Sequence, residues 1–257
     1  MLVVRYLQER LLYRLSVSEY RDKFFLKGGA LLYAFDRFDA RPTVDIDFLG
    51  HQISRDLEQM REVFRKIAEV KCEEDGVTFD AASVDAQKIS INKQYNGVRL
   101  HITAHIDSIV QPMSMDIGFG DVVTPEAQLL EYPQMLEDLP VAVVRAYSLE
   151  TVVAEKFQAM MALGDNNSRM KDFFDVYRIL LNYNLDDEVL KQAIHATFES
   201  RNTEVDDDAP LFQPAFAEDA MRNRFWEGFL RKIKWREKIE FKTVWHLITT
   251  KLNHYWE

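Results

Sequence analysis

The 257-residue chain is short of several things, and each shortage removes a class of protein. It has one cysteine, Cys72, so no disulfide can close within it. That excludes a disulfide scaffold and suits a reducing, cytoplasmic setting. Nothing near Cys72 marks it as a nucleophile; it reads as a small, partly buried side chain. No apolar run approaches the ~20 residues of a membrane helix, so no membrane partner is expected. The opening "MLVVRYLQERLLYRL" has charges scattered through it and no small-residue cleavage site. It reads as an amphipathic helix, not a signal peptide. There is no repeat and no low-complexity tract. No Gly-x-Ser-x-Gly, P-loop or kinase glycine-rich motif is present. Positive charge is also scarce. Thirty-two Lys and Arg face 42 Asp and Glu, for a net charge of −10. Such a balance argues against sequence-blind coating of nucleic acid, which is carried by basic surface. One local exception is "RKIKWREKIEFK", Arg231 to Lys242, with six basic residues against two acidic ones and Trp235 and Phe241 interleaved. It reads either as a basic patch or as a solvated helix face.

What is present is enough for a core. Hydrophobic residues make up 47% of the chain, and the length allows one large domain or two small ones. Residues 1–20 read as a helix with Leu7, Leu11, Leu12 and Leu15 at helical spacing. "FFLKGG" reads as a strand or turn feeding a short helix over Ala30–Phe38, and "TVDIDFL" as a strand. Ser54 can cap a helix running to about Lys71. "VTFDAASV", "KISINKQ", "VRLHITAHID" and "MSMDIGF" alternate apolar and polar residues, and Asn96-Gly97 marks a hairpin turn. From Ser148 the pattern turns helical. Ser148 can cap a helix over Leu149–Leu163 that stops at Gly164. The next helix carries Met170, Phe173, Phe174, Tyr177, Leu180 and Leu181 as one stripe. The acidic "EVDDDAP", Glu204–Pro210, reads as a loop, and two helices close the chain. The expected organisation is an α+β domain over residues 1–145 and a helical domain over 146–257.

The chemistry is concentrated in carboxylates. In a strand, side chains alternate faces, so Asp45 and Asp47 point one way while Val44, Ile46 and Phe48 point the other. Two like charges so close are tolerated on a solvated face or around a cation. In "MSMDIGF", Asp116 lies opposite the apolar Met113, Met115, Ile117 and Phe119. If the two strands are neighbours, three carboxylates converge, a hard-oxygen set suited to Mg²⁺ and to substrate phosphates. A helix that opens after small residues such as Gly28 and Gly29 presents free N–H groups to phosphate, although the pair can equally be only a tight turn. Lys156 shares a helix face with Leu149, Val152, Val153 and Met160. An ammonium there either snorkels outward or is held for a partner such as phosphate. Asp172 and Asp175 sit off the apolar stripe of the next helix, where Asp172 can pair with Arg169 as a surface ion pair. His101 and His105 share a strand face, but their separation along a strand makes a joint metal site strained.

The stretches "ERLLYRLSVSEYRDKFFLKGGALLYAF…RPTVDIDFLG", "YNGVRLHITAHI", "DIGFGDVVTP" and "SLETVVAEKFQAMMALGDNNSRMKDFFDVYRILL", continuing to "TFESRNT" and "RFWEGFLRKI", together form a specific combination. Through them the chain resembles, over nearly its whole length, the AbiEii/AbiGii-type nucleotidyltransferase toxin family. The resemblance implies a polymerase-β-like nucleotidyltransferase core, a small mixed sheet with flanking helices, followed by a helical C-terminal domain. It implies a toxin of a toxin–antitoxin or abortive-infection system, with a cognate antitoxin as partner. It also implies transfer of a nucleoside monophosphate from an NTP to an acceptor hydroxyl, in some relatives at the acceptor end of tRNA. Carried over by position, Asp45 and Asp47 would be the metal pair for Mg²⁺, with two ions expected. Lys27, Gly28 and Gly29 would be the phosphate loop, Asp116 the third carboxylate, and Lys156 and Asp172 the Lys and Asp of the helical motifs. The superfamily's usual Gly-Ser is Gly-Gly here, so no serine hydroxyl touches the phosphate, and Asp121 lies close enough to compete with Asp116 for the third place. Two other readings stay open at this point: a catalytically idle relative that acts by binding a partner, and a DxD glycosyltransferase.

Overall fold

The structure, a computed structural model, describes residues 1–92, 95–204 and 208–256. It divides into two compact units. The first holds Met1–Asp121 and Ala127–Tyr147; the second holds Val122–Glu126 and Ser148–Glu257.

The first unit is α+β. Its elements are α1 (Leu2–Ser16), β1 (Phe24–Lys27), α2 (Gly28–Asp36), β2 (Asp45–Gly50), α3 (Leu57–Ala68), β3 (Val77–Asn92), β4 (Tyr95–Ile106), β5 (Ile109–Phe119), β6 (Gln128–Glu131) and β7 (Val143–Ala146). Among the described residues the strands form one mixed sheet in the order β3-β4-β5-β2-β1-β7-β6. The parallel pairs are β2 with β5 and β1 with β7; the other neighbours run antiparallel.

Several local expectations shift. Asp56, not Ser54, caps α3, accepting from the Gln59 N–H at 3.0 Å, and the helix ends at Ala68. Val44 lies just before β2 and is exposed, so the apolar side of that strand is Ile46 and Phe48. "VTFDAASV" and most of "KISINKQ" belong to one long strand, β3, with a register shift between Asp80 and Asp85. Asn96 and Gly97 pair within β4, against Ser90 and Ile89. Residues 93–94 lie outside the described residues. The short strands β6 and β7 carry too little alternation to be seen in the sequence.

The apolar face of the sheet buries Ile46, Phe48, Leu100, Ile102, Met113, Met115 and Ile117. Phe24 ties this face together, meeting Phe48 and Phe64 edge-on at 5.8 and 5.2 Å. Helix α1 departs from simple amphipathicity. Leu7, Leu11, Leu12 and Leu15 are buried, and so are Arg5, Glu9, Arg10 and Arg14. Buried charges need partners; Glu9, Arg10 and Arg14 have ionic ones, and Arg5 lies over the Tyr33 ring at 3.9 Å. Arg14 donates to both Asp75 oxygens, at 2.7 and 3.2 Å, and to the Val77 carbonyl at 2.7 Å. Glu9 pairs with Arg10 at 2.5 Å and accepts from the Met135 N–H at 2.9 Å. Charges scattered through the N-terminal pattern therefore mark a helix enclosed on most sides.

The second unit contains α4 (Leu149–Leu163), α5 (Met170–Asn182), α6 (Asp187–Ser200), α7 (Pro214–Glu218), α8 (Ala220–Lys232) and α9 (Phe241–Leu252). Ser148 caps α4, accepting from the Thr151 N–H at 3.2 Å, and Gly164 ends it with φ of +48°. The buried stripe of α5 is rotated from the expected one. Met170, Phe173, Phe174, Val176 and Ile179 are buried, whereas Leu181 is exposed. Phe173, Phe174, Phe216, Trp226 and Phe241 form an aromatic core. Of the acidic loop Glu204–Pro210, residues 205–207 lie outside the described residues.

The buried Arg14–Asp75 pair yields a stability prediction. Asp75→Ala leaves a guanidinium buried without its counter-charge, which should cost about 3–5 kcal/mol. Adding Arg14→Met should return part of that loss. Urea unfolding midpoints of the single and double variants measure both effects.

Candidate active site

The pairing register builds a row of charge across four strands. Lys27 on β1 is opposite Asp47 on β2, Asp47 is opposite Asp116 on β5, and Asp116 is opposite Arg99 on β4. Residues paired in register share a face, so the carboxylates of Asp47 and Asp116 stand side by side, with a cation at each end of the row. Asp45 joins them one pleat away, opposite Ser114. Asp45, Asp47 and Asp116 thus lie on one face, and Ile46 and Phe48 face the core.

Each member of the row is held. Arg99 grips Asp116 with a two-pronged bond, Nε to Oδ1 and Nη2 to Oδ2, both at 2.7 Å. Hydrogen bonding to Asp116 holds the Arg99 guanidinium above its ordinary range against the opposing effect of burial, with the charges of Asp116, Asp45 and Asp47 adding to it. Lys27 pairs with Asp121 at 2.8 Å and lies over the Tyr147 ring at 5.0 Å from its centre. Asp121, which lies beyond the end of β5, is therefore engaged by the lysine of the Lys-Gly-Gly turn. His101 bonds Gln87 and Ser114, each at 3.0 Å, further along the same face.

The Gly-Gly turn is shaped by the carboxylates behind it. Gly28 opens α2 with φ of +67°, a left-handed conformation that disfavours other residues. A Cβ there would fall 2.0 Å from Asp47 Oδ2. A Cβ on Gly29 would fall 2.8 Å from the Thr43 side chain, and the Thr43 hydroxyl donates to the Asp45 carbonyl at 3.2 Å. The start of α2 thus lies directly against the carboxylate pair, and its first turn carries no acidic residue. Backbone N–H groups and a positive dipole end are suited to phosphate in such a place.

In the second unit Lys156 and Asp172 meet in a buried cluster. Lys156 Nζ lies 2.7 Å from Asp172 and 2.9 Å from Asp175, and Arg169 Nε lies 2.7 Å from Asp172. The expected surface pair of Asp172 with Arg169 is instead part of a buried group: Asp172 and Asp175 are 1% and 2% exposed. Lys156 does not snorkel, because two carboxylates hold it where it is. Burial pushes the Asp172 carboxyl up, but Lys156 and Arg169 outweigh it and hold the group below its ordinary value.

The basic segment Arg231–Lys242 is not a helix face. It runs from the end of α8 through a connection into α9, with Arg231, Lys232, Lys234, Arg236, Lys238 and Lys242 exposed. Its aromatics belong to the core. Phe241 is fully buried, and Trp235 packs edge-on to Phe174 with a ring separation of 4.9 Å.

A sequence profile described as "Nucleotidyl transferase AbiEii toxin, Type IV TA system" matches residues 10–243, most of the chain. The chain belongs to this family. As an AbiEii protein it is a nucleotidyltransferase toxin of a type IV toxin–antitoxin system, which brings with it an NTP as substrate and a cognate antitoxin. No protein of curated function matches it. Two solved structures are similar: JHP933 from Helicobacter pylori, at 14% identity and TM-score 0.49, and a candidate nucleotidyltransferase from H. pylori, at 15% and 0.48. Each alignment covers 98% of this chain and, respectively, 93% and 96% of the other. At that similarity the family assignment rests on the sequence match alone.

Among the described residues no group of three His, Cys, Asp or Glu side chains is arranged as a metal-ligand set, and no helix is long and apolar enough to cross a membrane. Arg99 is the functional candidate that sequence reasoning missed. It is the sole Lys or Arg in β4 and lies on the polar phase of that strand, but its partner appears only once the register of β4 against β5 is known.

The Lys156 cluster predicts a definite response to substitution and pH. Lys156→Met leaves two buried carboxylates with Arg169 as a neighbouring cation and should destabilise the protein by about 3–5 kcal/mol at neutral pH. In the wild type the folded value of Asp172 lies below its ordinary 3.8. Its contribution is therefore fully present above 3.8 and is lost as pH falls through the folded value. In the variant, burial dominates and protonation brings relief. The gap between the two melting temperatures should thus narrow on acidification, which calorimetry at neutral and acid pH measures.

Proposed function

We propose that the protein is a Mg²⁺-dependent enzyme that transfers a nucleoside monophosphate from an NTP to a hydroxyl of RNA, with tRNA as the acceptor, and that its toxicity or abortive-infection activity follows from that modification. NTPs and tRNA are both cytoplasmic, and the activity belongs there. The observation that carries the reading is the packing of the Gly28–Gly29 turn against Asp47, in a row of carboxylates on one sheet face.

The residues fit a hard divalent cation. Asp45 and Asp47 are half-buried oxygen donors on one strand face, and Mg²⁺ commonly takes one or two carboxylates and completes its shell with water and substrate phosphate. Asp45 and Asp47 would hold it, and Asp116 would serve a second ion. When bound, the metal would neutralise phosphate charge and polarise the phosphoryl oxygens. The chain's own groups do the rest. The N–H groups at the start of α2 and the Lys27 ammonium cradle the triphosphate. Asp116 takes the proton of the acceptor hydroxyl, whose oxygen attacks the α-phosphorus in line; the bond to the bridging oxygen breaks, and pyrophosphate leaves. Lys156 and Asp172, the matches to the family's helical motifs, pair with each other within the second unit. The exposed basic connection between α8 and α9 engages the RNA backbone, which needs charge but no stacking aromatics.

Asp45→Ala and Asp47→Ala should each reduce incorporation of labelled NTP into total cell RNA by at least about a hundredfold, with melting unchanged and growth inhibition lost. Near-wild-type transfer in either variant would remove the pair from the chemistry.

Replacing Lys232, Lys234 and Arg236 together should weaken RNA binding and lower the slope of log affinity against log salt by roughly two. NTP binding should be preserved; a parallel loss of both would show that the connection serves the fold, not the acceptor.

A further inference from the structure

The carboxylate row holds one more catalytic constraint, at Arg99. Three acidic side chains on adjacent strand positions repel, and without a cation the row would carry three negative charges on one face. Arg99 meets this from the far side of Asp116. Its two bonds, both at 2.7 Å, occupy one lone pair on each Asp116 oxygen and fix the plane of the carboxylate toward β4. A planar guanidinium fork matches a carboxylate in a way that no point charge does. Both Asp116 oxygens are thereby engaged from β4, while Asp47 is the register neighbour on the β2 side. The Arg99 side chain is 38% exposed, so it has room to leave. Guanidinium groups bind phosphate oxygens by the same two-pronged geometry, so a bound triphosphate is a competitor for this arginine.

We propose that Arg99 is a positioning residue that withholds Asp116 from the metal pair in the nucleotide-free protein and surrenders it when an anionic substrate takes the guanidinium. The inference rests on the reading of Asp45 and Asp47 as the metal-binding pair. It gives the row an order of assembly: one cation at Asp45 and Asp47 first, and the third carboxylate only with substrate. Premature collection of all three carboxylates around metal is prevented by a protein group that occupies the third.

The test uses Mn²⁺ as the probe, titrated into the full chain without nucleotide and followed by the spin-resonance signal of the free ion. Melting curves of each variant confirm folding. The wild type should bind one Mn²⁺. Arg99→Met should bind it roughly tenfold more tightly, because the ligand set gains a carboxylate. Arg99→Lys keeps the charge but holds only one oxygen, so it should also bind more tightly than the wild type. If charge alone mattered, Arg99→Lys would match the wild type, and the positioning role would fall. Adding Asp116→Asn to Arg99→Met should abolish the gain; a gain that survives would show that Asp116 is not the group released. Equal affinity in wild type and Arg99→Met overturns the proposal while leaving the metal pair intact. Absence of Mn²⁺ binding in the wild type, or its persistence in Asp45→Ala and Asp47→Ala, overturns the metal pair and this proposal with it.

Discussion

Everything at the site depends on the register of β2 against β5. Parallel pairing sets Asp47 beside Asp116, and antiparallel neighbours on either side bring Lys27 and Arg99 to the ends of the same row. A slip of one residue in either strand would turn the carboxylates into the core and the methionines of β5 out to solvent. The apolar face therefore protects the polar one. Ile46, Phe48, Met113, Met115 and Ile117 can be buried only in the register that gathers the acids.

Both units enclose ionic groups, and they do so in different ways. In α1, charges on a helix enclosed on most sides are consumed by neighbours that shape the start of β3 and the segment near Met135. In the helical unit, Lys156, Arg169, Asp172 and Asp175 neutralise one another within two successive helices. Such clusters are weak contributors to net stability, since their desolvation offsets most of their attraction. Their value lies in what breaking them costs, which makes each position intolerant of single changes.

Much of this was legible in the residues alone. Alternation placed Asp45, Asp47 and Asp116 on polar faces, because a strand leaves no other choice once Ile46, Phe48, Met115 and Ile117 need burial. Ser148 and Gly164 delimited α4 because cap chemistry is local. The failures share one cause: they concern partners distant in sequence. Lys156 looked unpaired because its counter-charges are on the next helix. Asp172 looked like a surface residue because its burial comes from elements packed around it. Arg99 drew no notice, since an arginine on an alternating strand is ordinary until the opposite strand is known. The DxD glycosyltransferase reading falls with the family assignment.

The contact of Gly29 with Thr43 reaches beyond the present chemistry. The turn is Gly-Gly, and the space a side chain at position 29 would enter is filled by Thr43. The two positions are one packing decision divided between two segments of chain. A lineage could not pass from one form to the other by a single codon change at position 29 without a collision, because the incoming side chain would arrive before the old one had left. The smaller residue at 43 must come first. The order of those two steps is thus dictated by volume, and a side chain at position 29 should occur only where residue 43 is smaller than threonine.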